Sequence, residues 1–127
     1  MKSTEYMVDT NVIIRYLLAD HPEFFERSRV FMNEVKVGKI QALIPECVIA
    51  ECVYILLKIY NIPRREIAEK LSGILKYRGV ITPQREDLIQ ALLLFAQKNI
   101  DIVDAIVLVI GSKENRQPFS FDKDLKT

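Results

Sequence analysis

The stretch Tyr6-Met7-Val8-Asp9-Thr10-Asn11-Val12-Ile13-Ile14-Arg15-Tyr16-Leu17-Leu18 decides the fold class. Tyr6 to Val8 is a short apolar run that stops at an acid, and Val12 to Leu18 carries helical apolar spacing. A strand passing directly into a helix is the expectation. Outward along the chain the alternation repeats. Pro22 opens a helix ending near Gly38, Gln41 to Ile44 is a strand stopped by Pro45, and Glu46 to Tyr60 reads as a helix apolar nearly all round. Pro63 starts another helix that ends before Gly79, and Val80-Ile81 is a very short strand. Thr82-Pro83 has cap-plus-proline chemistry for a helix from Gln84 to Lys98. A helix beginning at Asp101 closes near Gly111 to Asn115, and Pro118 to Phe121 reads as a last strand ending in Asp122. This order predicts an α/β fold whose mainly parallel sheet is covered on both faces. Right-handed crossovers then bring the C-terminal strand ends to one edge, where open α/β sheets keep their sites.

The 127 residues fit one domain, 1–127, and no repeat or Ser/Gly linker divides them. Eighteen basic residues offset seventeen acidic ones, for a net charge of +1, so a nucleic-acid site has to be local. A single histidine and no tryptophan exclude paired-histidine cleavage, Ser-His-Asp triads and HExxH zinc sites built from this chain alone. His21, before Pro22, reads as a surface turn residue. Cys47 and Cys52 have neither CxxC spacing nor a partner pair, and read as reduced, core-filling residues. The polar start Met1 to Glu5 predicts no signal peptide, and no apolar stretch approaches a bilayer's thickness. A cytoplasmic protein is expected.

The acids carry the chemistry. Asp9 follows the first strand and Asp122 the last; Asp101 and Asp104 stand three apart on one face of a helix start; Glu51 lies in the second turn of the helix after Gln41 to Ile44. Glu51 and Asp104 sit among apolar neighbours, where an ionised carboxylate is costly unless paired, protonated or metal-bound. An all-oxygen cluster suits Mg²⁺ or Mn²⁺ rather than zinc. Each acid also has a structural alternative. Asp9, Asp101 and Asp122 stand where helix N-caps belong, Asp104 complements a helix dipole, and Glu51 has Arg15 as a candidate buried partner. Capping, however, does not call for a Glu in the middle of an apolar helix.

Val8-Asp9-Thr10-Asn11-Val12-Ile13-Ile14-Arg15-Tyr16-Leu17, Val48-Ile49-Ala50-Glu51-Cys52-Val53-Tyr54, Ile102-Val103-Asp104-Ala105-Ile106-Val107 and Ser120-Phe121-Asp122-Lys123-Asp124-Leu125, in this order and spacing, resemble a PIN domain. More narrowly they resemble the VapC-type toxins of prokaryotic toxin–antitoxin pairs, over essentially the whole chain. The resemblance implies a three-layer α/β/α fold and a Mg²⁺- or Mn²⁺-dependent ribonuclease with one or two ions per site. It maps the family's four acids onto Asp9, Glu51, Asp104 and Asp122, a further acid onto Asp101, and supporting polar residues onto Asn11 and Ser120.

The chemistry implied is hydrolysis of an RNA phosphodiester, with Asp9, Asp104 and Asp122 holding the ions and Glu51 ligating directly, through water, or taking a proton. Arg15, Arg64 and Arg65 are candidate RNA contacts; Arg64 and Arg65 open a basic stretch between Asn61 and Gly79 whose alternative reading is a solvated helix face. Two other readings stand beside the nuclease. One is a PIN scaffold that binds RNA or protein without cleaving. The other is a receiver-like signalling module, which would put a phosphoacceptor Asp where Pro45-Glu46 stand and leaves Glu51 without a role. Excess apolar residues over Val48 to Tyr60 and Leu88 to Ala96 predict an interaction surface, and the resemblance implies a homodimer with an antitoxin, a separate chain, across the active site.

Overall fold

A computed structural model of the chain describes residues 5–122. Three short strands, β1 (Glu5–Met7), β2 (Gln41–Leu43) and β3 (Val80–Ile81), form a parallel sheet in the order β1-β2-β3. Tyr6 pairs with Ala42, and Ala42 with Val80. Around the sheet run α1 (Thr10–Leu18), α2 (Pro22–Lys36), α3 (Glu46–Tyr54), α4 (Arg64–Leu75), α5 (Arg85–Gln97) and α6 (Ile102–Lys113). The result is the expected three-layer α/β/α arrangement. Ala42, Ile44 and Val80 from the sheet are buried with Ile13, Ile49, Leu71, Leu88 and Phe95 from the helices. α3 packs against both α1 and α6, and so links the elements that carry the acids.

The turn into β3 shows how tightly the sheet is tied to α2. A Cβ on Gly79 would stand 2.1 Å from the Ile40 carbonyl oxygen and 2.7 Å from that of Val35. Only glycine fits there, and its own N–H donates to the Val35 carbonyl at 2.8 Å. Thr82, read as a cap, does other work: its hydroxyl donates to the Ile44 carbonyl at 3.1 Å and joins the ends of β3 and β2. The residue before α5 is Gln84, in the left-handed region at φ 60° with no side-chain cap.

Three expectations are corrected. The helix from Glu46 does not run uniformly to Tyr60; α3 passes into a π-helical stretch over Ile55–Ile59, closed by the Tyr60 N–H donating to the Ile55 carbonyl at 3.3 Å. Cys47 is exposed, and only Cys52 is buried. Pro118 to Phe121 is not a strand. After α6 the chain folds back through Asn115, at φ 57°, with the Arg116 N–H bonded to the Gly111 carbonyl at 2.7 Å. Phe119 and Phe121 then lie 92% and 90% exposed, their rings packed edge-on against each other rather than on the core.

Candidate active site

Asp9 is placed by two neighbours. Val8, just past β1, is buried, and its N–H extends the ladder to the Leu43 carbonyl at 3.0 Å. Thr10, the first residue of α1, is buried too, which leaves Asp9 exposed at the helix N-cap. Its carboxylate makes no capping hydrogen bond. Asp101 repeats this at α6: extended backbone, N-cap position, no side-chain cap, and an exposed residue before buried Ile102. The helix starts therefore do not consume these carboxylates. Asp104, half-buried in the first turn of α6, is engaged in a contact of its own, as is Asp122.

Glu51 is exposed rather than enclosed by the apolar residues around it in sequence. In α3 the inward positions go to Ile49, Cys52 and Val53, and Glu51 faces out. Its candidate partner is elsewhere, since Arg15 donates twice to Asp20, at 2.8 and 2.9 Å. The charges of both Glu51 and Asp9 act on the buried Cys52 thiol. Burial, then the Glu51 charge, then the Asp9 charge push the Cys52 thiol up to about 12. Two carboxylates from separate segments thus lie close enough to oppose the ionisation of one sulfur. Cys52 stays a neutral thiol, neither nucleophile nor thiolate ligand.

The donor set is oxygen only, which fits a hard divalent cation such as Mg²⁺ or Mn²⁺ and gives zinc neither thiolate nor imidazole. The one histidine, His21, caps α2, its Nδ1 accepting the Phe24 N–H at 3.3 Å. Among the described residues no three of His, Cys, Asp and Glu stand close enough together to hold a metal ion. α3, which holds Glu51, packs against both α1, which Asp9 precedes, and α6, which holds Asp104.

A family model, the PIN domain, matches residues 6–127, which is nearly the whole chain. The chain belongs to the PIN domain family. PIN domains are generally nuclease modules, that is, hydrolases that act on nucleic acid. No curated protein gives a significant match.

Several other residues of this PIN domain can now be placed. Ser120 accepts the Asp122 N–H on its Oγ at 2.9 Å, so it shapes the backbone that carries the last acid. Asn11 is exposed on the first turn of α1, at the mouth of a cavity of about 580 Å³ between β1, α1 and α2. Tyr6, Arg15, His21, Phe24 and Arg27 also line this cavity. Arg65 is exposed on α4, but Arg64 is turned inward and donates to backbone carbonyls of the α5–α6 connection. Asp87, not among the acids singled out from the sequence, is only 5% exposed at the start of α5 and accepts from Lys113 Nζ of α6 at 3.3 Å. Its signal was available: an acid at the third position of a helix that buries its next residue, Leu88. Among the described residues no helix is long and apolar enough to cross a membrane.

Proposed function

We propose that this PIN domain is a metal-dependent endoribonuclease, and more narrowly the VapC-type toxin of a toxin–antitoxin pair. The observation that carries the reading is the packing of α3, which holds Glu51, against both α1, which Asp9 precedes, and α6, which holds Asp104. The uncapped carboxylates at Asp9 and Asp101 support it, because a helix-capping role would have used them.

Asp9, Asp104 and Asp122 would hold one or two Mg²⁺ or Mn²⁺ ions, with Glu51 ligating directly or through water and Asp101 adding charge. When bound, such a cation supplies Lewis acidity toward a water and toward the phosphoryl oxygens. The chain's own residues do the rest. Glu51, exposed on α3, would ligate the cation or take the proton of an attacking water. Asn11 offers an amide to a phosphate or sugar at the start of α1, where the helix dipole favours an anion. The cavity beside it combines Arg15 and Arg27 with the stacked His21 and Phe24 rings, 4.2 Å apart, which suits a single strand with an unstacked base.

The same reading includes a homodimer and an antitoxin on a separate chain. Tyr54 at 60% and Leu93 at 55% exposed leave apolar surface on α3 and α5, the two stretches with excess apolar content. The test is incubation of the purified chain with single-stranded RNA. Cleavage that needs Mg²⁺ or Mn²⁺ and stops with EDTA supports the reading, and intact RNA under the same conditions favours a PIN scaffold that only binds.

A further inference from the structure

Helix α5 ends at Gln97 with no basic residue in its last turn, so its final carbonyls need a donor from outside the helix. Arg64, the first residue of α4, supplies it. Its Nη1 donates to the carbonyls of Phe95 at 3.0 Å, Lys98 at 3.2 Å and Ile100 at 2.7 Å. One nitrogen with two hydrogens serves three acceptors, so at least one bond is shared. The guanidinium carbon lies 4.3 Å from the centroid of the buried Phe95 ring. The planar group is thus fixed by a ring and by three oxygens at once.

The shortest of these bonds ends one peptide before Asp101. Asp101 begins α6, its carbonyl accepting the Ala105 N–H at 2.9 Å while its side chain makes no cap. Burial of Ile102, Ala105 and Ile106 sets the roll of α6 about its axis. The bond from Arg64 to Ile100 falls on the peptide that leads into the helix. Asp101 and Asp104, three residues apart, share the face so defined.

We propose that Arg64 is a positioning residue for the acidic turn of α6, holding the Ile100–Asp101 peptide so that Asp101 and Asp104 are presented together to a divalent cation. This rests on reading those acids as part of the cation site. Arginine is required because a lysine ammonium keeps the charge but has neither the fork nor the flat face that lies on Phe95.

The test uses Arg64→Lys, which keeps the charge, and Arg64→Met, which keeps the stem on Phe95 and removes every donor. Two readouts are taken on each: hydrogen exchange at the Ala105 amide, and equilibrium Mn²⁺ binding. Both variants are expected to exchange Ala105 faster and to bind Mn²⁺ roughly 10-fold more weakly, the low end of what an outer-sphere partner contributes. Glu69→Gln, on the exposed face of α4, is expected to change neither. If Arg64→Met fails to fold, the Lys variant decides alone. An Arg64→Lys protein with wild-type exchange and wild-type Mn²⁺ affinity overturns the proposal, because charge alone would then suffice. A wild-type chain that binds no Mn²⁺ overturns instead the cation reading beneath it.

Discussion

Arg15 Nη1 donates to both carboxylate oxygens of Asp20, at 2.8 and 2.9 Å, so an arginine at the cavity beside Asn11 is held by an acid just past the end of its own helix. The hydrogen bond from Arg15 keeps the Asp20 carboxyl below its ordinary value, and Tyr60 adds a weaker bond at 3.4 Å. A carboxyl whose folded pKa is depressed stabilises the fold above its unfolded value and loses that contribution as pH falls through the folded one. Melting temperatures of the wild type and Asp20→Asn should therefore differ slightly at neutral pH. They should converge as pH drops below about 4. A difference that persists unchanged into acid would contradict the ion pair. The effect is small because both groups face water.

Asp9→Ala separates the two readings of Asp9. Replacing a capping Asp by Ala costs about 0.5–2 kcal/mol. Asp9 makes no such bond, so its melting temperature without metal should hardly move. Cleavage should fall by more than the roughly 10–100-fold typical of an outer-sphere partner. Strong destabilisation with cleavage intact would return Asp9 to the role of a cap.

Asp87 predicts the reverse pattern. Its carboxylate is buried and accepts from Lys113 across the start of α5 and the end of α6. Asp87→Ala leaves that end of the pair unmade and should cost about 1–3 kcal/mol in chemical denaturation. RNA cleavage at a temperature where the variant stays folded should be unchanged. Loss of activity in a folded variant would place Asp87 in the site.

Strands β1 to β3, the helix order and the helix-start positions of Asp9 and Asp104 were legible because they depend on local pattern. An apolar run ending in Asp9, and an acid pair opening α6, need no distant information. The places where the reading failed depend on partners far along the chain. Glu51 sits among apolar residues in sequence, yet the helical period turns it outward while Cys52 goes in. Thr82 had the chemistry of a cap, and the nearby Ile44 carbonyl took its hydroxyl instead. Arg64 read as one more surface cation because its acceptors lie 31 to 36 residues away. The Pro118 to Phe121 alternation suited a strand, but a strand needs a neighbour, and the return at Gly111 to Arg116 does not deliver one among the described residues.

The exposed apolar side chains of Tyr54 on α3 and Leu93 on α5 give a hydrodynamic prediction. Sedimentation at micromolar concentration should show a dimer, and Leu93→Asp, on the exposed side of α5, should shift it toward monomer without unfolding it. A wild-type monomer at that concentration would contradict the dimer.

The proposed nuclease requires carboxylates from three parts of the chain to share one divalent cation. Equilibrium Mn²⁺ binding, followed by calorimetry or by loss of the free-ion resonance, tests it directly. One or two ions per chain are expected, with affinity reduced by each of Asp9→Asn, Glu51→Gln and Asp104→Asn while the fold is retained. Failure of the wild type to bind Mn²⁺, or binding that all three substitutions leave unchanged, would contradict it.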